Sequence, residues 1–215
     1  LTVTSLVLIL PPSEVVPTAY MLEVAASIHM LPLVWRSIDW KILRWLVFGT
    51  VMGTPFGIIF LEVVPQEIMR LVISGIVLTA SLLLWKNIQF RSSANWYSIL
   101  AVGFFSGVIN GAAAIGGLPV VLFLLSISAP STLSRATMVA YLFISGLYAL
   151  FLPGSQQLIS TELFGRTVLF LIPLLFGIYF GHRSFVKTTP ESFRKFALSL
   201  LILLSAAVIF RSVLI

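Results

Sequence analysis

Residues 107–119 read GVINGAAAIGGLP, and they interrupt an apolar tract that runs from Trp96 to Ile127. That tract is too long for one bilayer span, which needs roughly 20 apolar residues, and too short for two comfortable ones. Gly116-Gly117-x-Pro119 breaks a helix, because glycine loses the most backbone entropy on ordering and proline removes a donor and crowds the preceding turn. The stretch therefore predicts a helix followed by a half-helix. The break between them must be buried in protein or line water, since unpaired backbone is not tolerated against lipid. A half-helix starting after Gly117 turns its N-terminal N–H groups and positive dipole end into the protein, which makes an anion site without a charged side chain. Gly116, Gly117 and Pro119 are the candidate residues there, and Asn110 adds an amide.

Working outward, the rest of the chain repeats the apolar pattern. The 215 residues are 59% hydrophobic and 9% charged, with a mean hydropathy of +1.10, a balance that leaves a soluble fold without a polar surface. Further helices are expected at about 14–35, 42–62, 67–85, 131–152, 165–182 and 190–213. An opening stretch, residues 1–10, is too short to span, and at least one further segment is expected upstream of Leu1. Ser13 is placed to cap the first full helix, with Pro17 tolerated in its opening turn. The expectation is an all-α, multi-pass integral membrane protein of the cell membrane with seven or eight hydrophobic helical segments.

Composition also removes function classes. Absence of cysteine excludes disulfides, thiolate metal sites and cysteine nucleophiles. A net charge of +6 is assigned to cytoplasmic loops, where Lys and Arg collect, so nucleic acid is not expected as a partner. No P-loop, metal-type cluster or cofactor motif occurs. An intramembrane serine protease needs a GxSG nucleophile, and Ser74, Ser106 and Ser145 all lack a glycine two positions earlier.

Charge sets the orientation. Loops carrying Arg36, Lys41 and Arg44, then Lys86 and Arg91, then Arg183, Lys187, Arg194 and Lys195 are expected to be cytoplasmic. The 62–67 turn and the 153–161 loop then face outward, and the 96–127 tract starts and finishes on the cytoplasmic side. Two weak copies emerge: Pro12-Ser13 recurs as Pro130-Ser131, Gly53/Gly57 as Gly177/Gly181, and Pro65 as Pro190. The copies run in opposite orientations, predicting an inverted-topology repeat with halves at 1–86 and 96–215 joined by a linker at 87–95. Such repeats place substrate near the midplane, where broken helices end.

Glu23 lies nine positions after Glu14, roughly 14 Å along a helix, and so near the bilayer midplane. A carboxylate at that depth costs several kcal/mol unless paired, hydrated or protonated, which marks it as a carrier for a coupling proton; the bland alternative is a protonated hydrogen-bonding contact between helices. His29 follows six positions on, and a lone histidine of this kind serves packing as readily as proton transfer. Ser131, Arg135 and Thr137 occupy the first turns of the second-copy helix and, with Ser13 of the matching Pro-Ser opening in the first copy, are candidate substrate-binding residues. Arg135 either attracts an anion or snorkels to the interface. Trp35, Trp40, Trp45, Trp85 and Trp96 fall at expected membrane boundaries, and the paired glycines serve helix packing.

The combination PPSEVVPTAYMLEVAASIH, then WRSIDW and GTPFG, then GVINGAAAIGGLPVVLFLL with APSTLSRATM resembles the sulfite exporter TauE/SafE family over nearly the whole chain. The family's glycine-rich break followed by a helix opening with proline and small residues is matched by Gly116, Gly117, Pro119, Pro130, Ala136 and Thr137; its first-repeat copy would lie mostly upstream of Leu1. The resemblance implies transport of sulfur-containing anions such as sulfite, thiosulfate or organosulfonates, often outward. The expected function is a secondary transporter of such a small anion, coupled to protons through Glu23. A membrane assembly or scaffold protein without transport is the alternative, and an enzyme is not expected.

Overall fold

The computed structural model describes residues 2–7, 10–86, 95–127 and 130–152, then 165, 167–171, 173, 176, 198–207 and 210. The structure is helical throughout its regular elements: α1 (Thr2–Leu6), α2 (Pro12–Val34), a 3-10 turn (Trp35–Ser37), α3 (Trp40–Val63), α4 (Gln66–Trp85), α5 (Trp96–Ala113), α6 (Gly117–Ser126) and α7 (Ser131–Phe151). Among the described residues four stretches are long and apolar enough to cross a membrane: α3, α4, α5 and Thr132–Phe151 of α7. Leu198–Ala207 forms a shorter apolar helix. Gly177, Gly181, His182, Pro190 and most of the linker at 87–95 lie outside the described residues.

Two helix starts differ from the sequence expectation. Ser13 does not cap α2: the helix already begins at Pro12, the N-cap is Pro11, and no side chain caps it. Proline at the first helical position costs nothing there, because its missing N–H would have had no intrahelical acceptor. The Ser13 backbone N–H instead donates to Gln66 Oε1 at 3.2 Å, tying α2 to α4. α3 starts two residues earlier than expected, because Asp39 caps it by accepting from the N–H groups of Lys41 at 2.9 Å and Ile42 at 3.0 Å. Asp39→Ala is expected to cost about 1 kcal/mol, measured as a lower thermal midpoint of the purified protein.

The closest helix pair is α3 against α5. Gly49, Gly53 and Gly57 recur every fourth residue, as do Gly103, Gly107 and Gly111, and each row lies against the other backbone. A Cβ at Gly53 would stand 2.1 Å from the Phe104 carbonyl oxygen, one at Gly57 2.1 Å from that of Val108, and one at Gly111 2.3 Å from that of Thr54. Partners rise in number together along both helices, so α3 and α5 run parallel, with α4 as the return crossing. The outer face of α3 carries exposed Phe48, Met52, Phe56 and Phe60, as a lipid-facing surface requires. Trp40 and Trp96 open α3 and α5 and Trp85 closes α4, all three exposed, at the depth where indole rings prefer the interface.

Two apolar clusters fill the interior. One joins Val15, Leu61, Met69, Ala113 and Ala149; the other joins Ile42, Ile99, Val120, Phe123 and Ala136, at the end that carries Arg36 and Lys41. α5 runs from the second cluster to the first, and α6 returns to the second. The 96–127 tract is therefore a helix and a re-entrant half-helix that begin and end at the same, basic end.

Candidate functional site

The break forms around one residue and one close approach. Ala114 takes a left-handed conformation (φ 52°, ψ 35°) at the end of α5, and it is the only non-glycine residue with positive φ among the described residues. Alanine in that region is strained by roughly 1 kcal/mol, and such residues concentrate at functional sites. Gly116 has ordinary helical angles (φ −58°), so glycine is not needed there for its backbone freedom. It is needed for space: a Cβ would meet Asn110 Cβ at 2.6 Å and the Ser106 carbonyl oxygen at 2.7 Å. The chain thus doubles back on α5, and the start of α6 comes level with Ser106 and Asn110.

A cavity of about 300 Å³ opens at this level, lined by Glu23 of α2, by Ala114, Ile115 and Gly117 of the break, and by apolar side chains including Leu22 and Met138. Among the described residues Glu23 is the sole ionisable one on its wall. Its Oε2 is buried without a hydrogen-bond partner among the described residues. α2 packs along α7 here because Gly146 leaves room: a Cβ on it would stand 3.1 Å from Val24 Cγ2 and 3.7 Å from Glu23 Oε2.

Depth follows from helix geometry. Thr50, Ser106 and Tyr141 each lie ten residues past the first residue of α3, α5 and α7, and Glu23 lies eleven past the start of α2. At 1.5 Å per residue that is roughly 15 Å, half of a hydrocarbon core about 30 Å thick. Four polar side chains from four helices share the midplane.

Hydrogen bonds occupy most of the polar atoms. Asn110 is fully buried; its Oδ1 accepts from Gly116 N–H at 3.3 Å, and its carbonyl accepts from Ala114 N–H at 2.7 Å and from the Tyr20 hydroxyl. Asn110 Nδ2 has no acceptor among the described residues. The Ser106 hydroxyl donates to the Gly116 carbonyl and lies 2.7 Å from the Tyr141 hydroxyl, which is 3.0 Å from Thr50 Oγ1.

The half-helix offers fewer N–H groups than its sequence suggests. The Gly116 amide is held by Asn110, Leu118 N–H donates to the Ile115 carbonyl at 3.1 Å, and Pro119 has none. That leaves Gly117 N–H, which at the first helical position has no intrahelical acceptor. Glu23, Asn110, Gly116 and Gly117 therefore come together at the break. The other candidates lie elsewhere. Arg135 and His29 are exposed, Ser13 is at the opposite end of α2 from the basic loops, and buried Thr137 accepts from Asp39 N–H at 3.1 Å. Ser131 starts α7, and its side chain is outside the described residues. Tyr20, Thr50, Ser106 and Tyr141 were not among the candidates. Their signal in the sequence is a lone hydroxyl set deep in an apolar span.

These helices and the half-helix that turns back at mid-depth define a multi-pass α-helical membrane protein. The family model described as Sulfite exporter TauE/SafE matches residues 1–208 of the chain. The chain belongs to the sulfite exporter TauE/SafE family, a family of membrane transporters. No curated protein and no solved structure matches it.

Proposed function

We propose that this chain is a secondary transporter of a small sulfur-containing anion such as sulfite, thiosulfate or an organosulfonate, exported across the cell membrane with Glu23 carrying a coupled proton. The observation that carries the reading is the mid-depth cavity, which brings to one space the start of α6 and Glu23, whose Oε2 has no partner among the described residues. Among the described residues no basic side chain lines it, so the favourable charge for an anion comes from the half-helix end, equivalent to about half an elementary charge, and a proton on Glu23 removes the repulsion of the carboxylate. Asn110 Nδ2 supplies a second donor at the break. Alternation follows from rocking of two inverted halves, 1–86 and 96–215, about this site.

Proteoliposomes containing the protein and loaded with sulfite, thiosulfate or methanesulfonate test the reading. Saturable release of at least one of these, absent from empty vesicles, is the expected result. No flux for any anion, with folded protein in the membrane, would exclude the transport reading and favour an assembly role.

A further inference from the structure

We propose that Ser106 and Tyr141, with Thr50 behind them, are positioning residues that aim the Gly117 amide into the cavity; the inference rests on the anion-transport reading of that cavity. The geometry is that of a one-way chain of hydroxyls. All three residues are fully buried, at 0% exposure for Ser106 and Tyr141 and 1% for Thr50. Each hydroxyl has one proton. The Ser106 proton goes to the Gly116 carbonyl, so in the Ser106–Tyr141 contact the tyrosine must be the donor. Its proton spent there, Tyr141 can only accept from Thr50, whose own proton is shared between Tyr141 and the Gly103 carbonyl at 3.1 Å. α3 and α7 thus converge through α5 on a single peptide unit.

That unit is the one that matters for an anion. The Gly116 carbonyl and the Gly117 N–H belong to the same trans peptide plane and point in opposite directions. Holding the carbonyl on the α5 side through Ser106 directs the N–H the other way, into the space that Gly117 lines. With Gly116 N–H and Leu118 N–H already occupied, rotation of this plane removes the remaining amide of the first turn from the cavity. Chained hydroxyls in a low-dielectric interior also polarise one another, which strengthens the grip on the carbonyl. The second buried donor at the break, Asn110 Nδ2, is fixed separately through Oδ1 and stays in place when the chain is cut.

The test compares transport kinetics of thiosulfate and methanesulfonate in proteoliposomes for wild type, Ser106→Ala, Tyr141→Phe and the double variant, with thermal midpoints measured alongside. Ser74→Ala is the control, since it removes an equally buried hydroxyl bound to the Arg70 carbonyl at 2.7 Å on α4. A rise in KM of tenfold or more is expected for Ser106→Ala, a smaller rise for Tyr141→Phe, and no further rise in the double variant, because both act through one carbonyl. The control should lose thermal stability with KM unchanged. A folded Ser106→Ala variant with the wild-type KM would overturn the proposal while leaving the transport reading intact. Should Ser106→Ala fail to fold, a wild-type KM in Tyr141→Phe, which keeps the ring and loses one oxygen, has the same consequence. Wild type that moves neither anion removes the transport reading and this inference together.

Discussion

Gly53→Ala is expected to lower stability by about 3 kcal/mol, the upper end of the usual range for overpacking, whereas Gly75→Ala is expected to be neutral or stabilising by up to about 1 kcal/mol. Both are alanine substitutions at glycines inside membrane-spanning helices, so intrinsic helix propensity alone favours both equally. What separates them is the neighbour. A new Cβ at Gly53 meets the Phe104 carbonyl oxygen at 2.1 Å and Val108 N at 3.0 Å, while one at Gly75 meets nothing within 4 Å among the described residues. Favourable contact between heavy atoms sits near 3.5 Å or beyond. The obstruction is a helix backbone, which cannot swing aside as a side chain does, so α3 and α5 must separate by more than an ångström. Separation breaks the whole run of contacts from Gly49 to Gly111, because association in lipid rests on this close packing and on no hydrophobic drive between helices. It also breaks the Thr50–Gly103 hydrogen bond that ties the two helices at mid-depth. Thermal unfolding of the detergent-solubilised variants, followed by the loss of the monodisperse gel-filtration peak, checks the contrast. Equal midpoints for the two variants would mean that the α3–α5 contact is not as close as described.

Much of the helix plan was legible because lipid imposes it: runs of apolar residues bounded by tryptophan or charge allow few other readings, and Gly-Gly-x-Pro marked the start of the half-helix to within one residue. The reasons behind the break were less legible. Gly116 looked like a residue chosen for backbone freedom, yet its angles are ordinary and the left-handed turn falls on Ala114, which composition does not flag. Gly103, Gly107 and Gly111 were hidden because the last two sit inside the stretch already read as a break motif. Capping is hard to read at α2, where tandem prolines start the helix without a side-chain cap, and at α3, where a charged loop conceals Asp39, which caps the helix with its side chain. Periodicity was also silent about which face of each span turns inward, since these helices are apolar all round. Glu23 stood out because a charge in a span is expensive; Tyr20 and Tyr141 did not, because a tyrosine there reads as one more aromatic residue. Facing partners, and the level shared by Thr50, Ser106, Tyr141 and Glu23, are set by tertiary packing.

Glu23→Gln is expected to abolish proton-driven accumulation of the transported anion while leaving exchange down the anion's own gradient in place. A one-unit pH difference is worth about 1.4 kcal/mol per proton, or tenfold in concentration, so wild-type vesicles with one coupled proton should accumulate about tenfold and the variant not at all. Glutamine keeps the length and the hydrogen-bonding head of the side chain and cannot exchange a proton, so a cavity built around a neutral head remains usable. The proposed coupling rests on the surroundings of this carboxylate. Among the described residues Glu23 faces apolar groups from α4, α6 and α7, has no Lys, Arg or His beside it on the cavity wall, and finds no partner for its buried Oε2. A bare carboxylate in that position also repels an incoming anion and competes with it for the end of α6. Proton and anion therefore favour each other's presence: the proton removes the repulsion, and the bound anion supplies a partner for the acid O–H. Among the described residues the other titratable groups close to Glu23 are Tyr20 on its own helix and Tyr141 on α7, and a phenol in water titrates near 10, so neither accounts for a dependence in the neutral range. Methanesulfonate is the probe of choice, since its charge is constant across that range and any pH effect belongs to the protein. Unchanged accumulation in Glu23→Gln would remove this carboxylate from the coupling, and loss of exchange as well as accumulation would make it a binding group instead of a proton carrier.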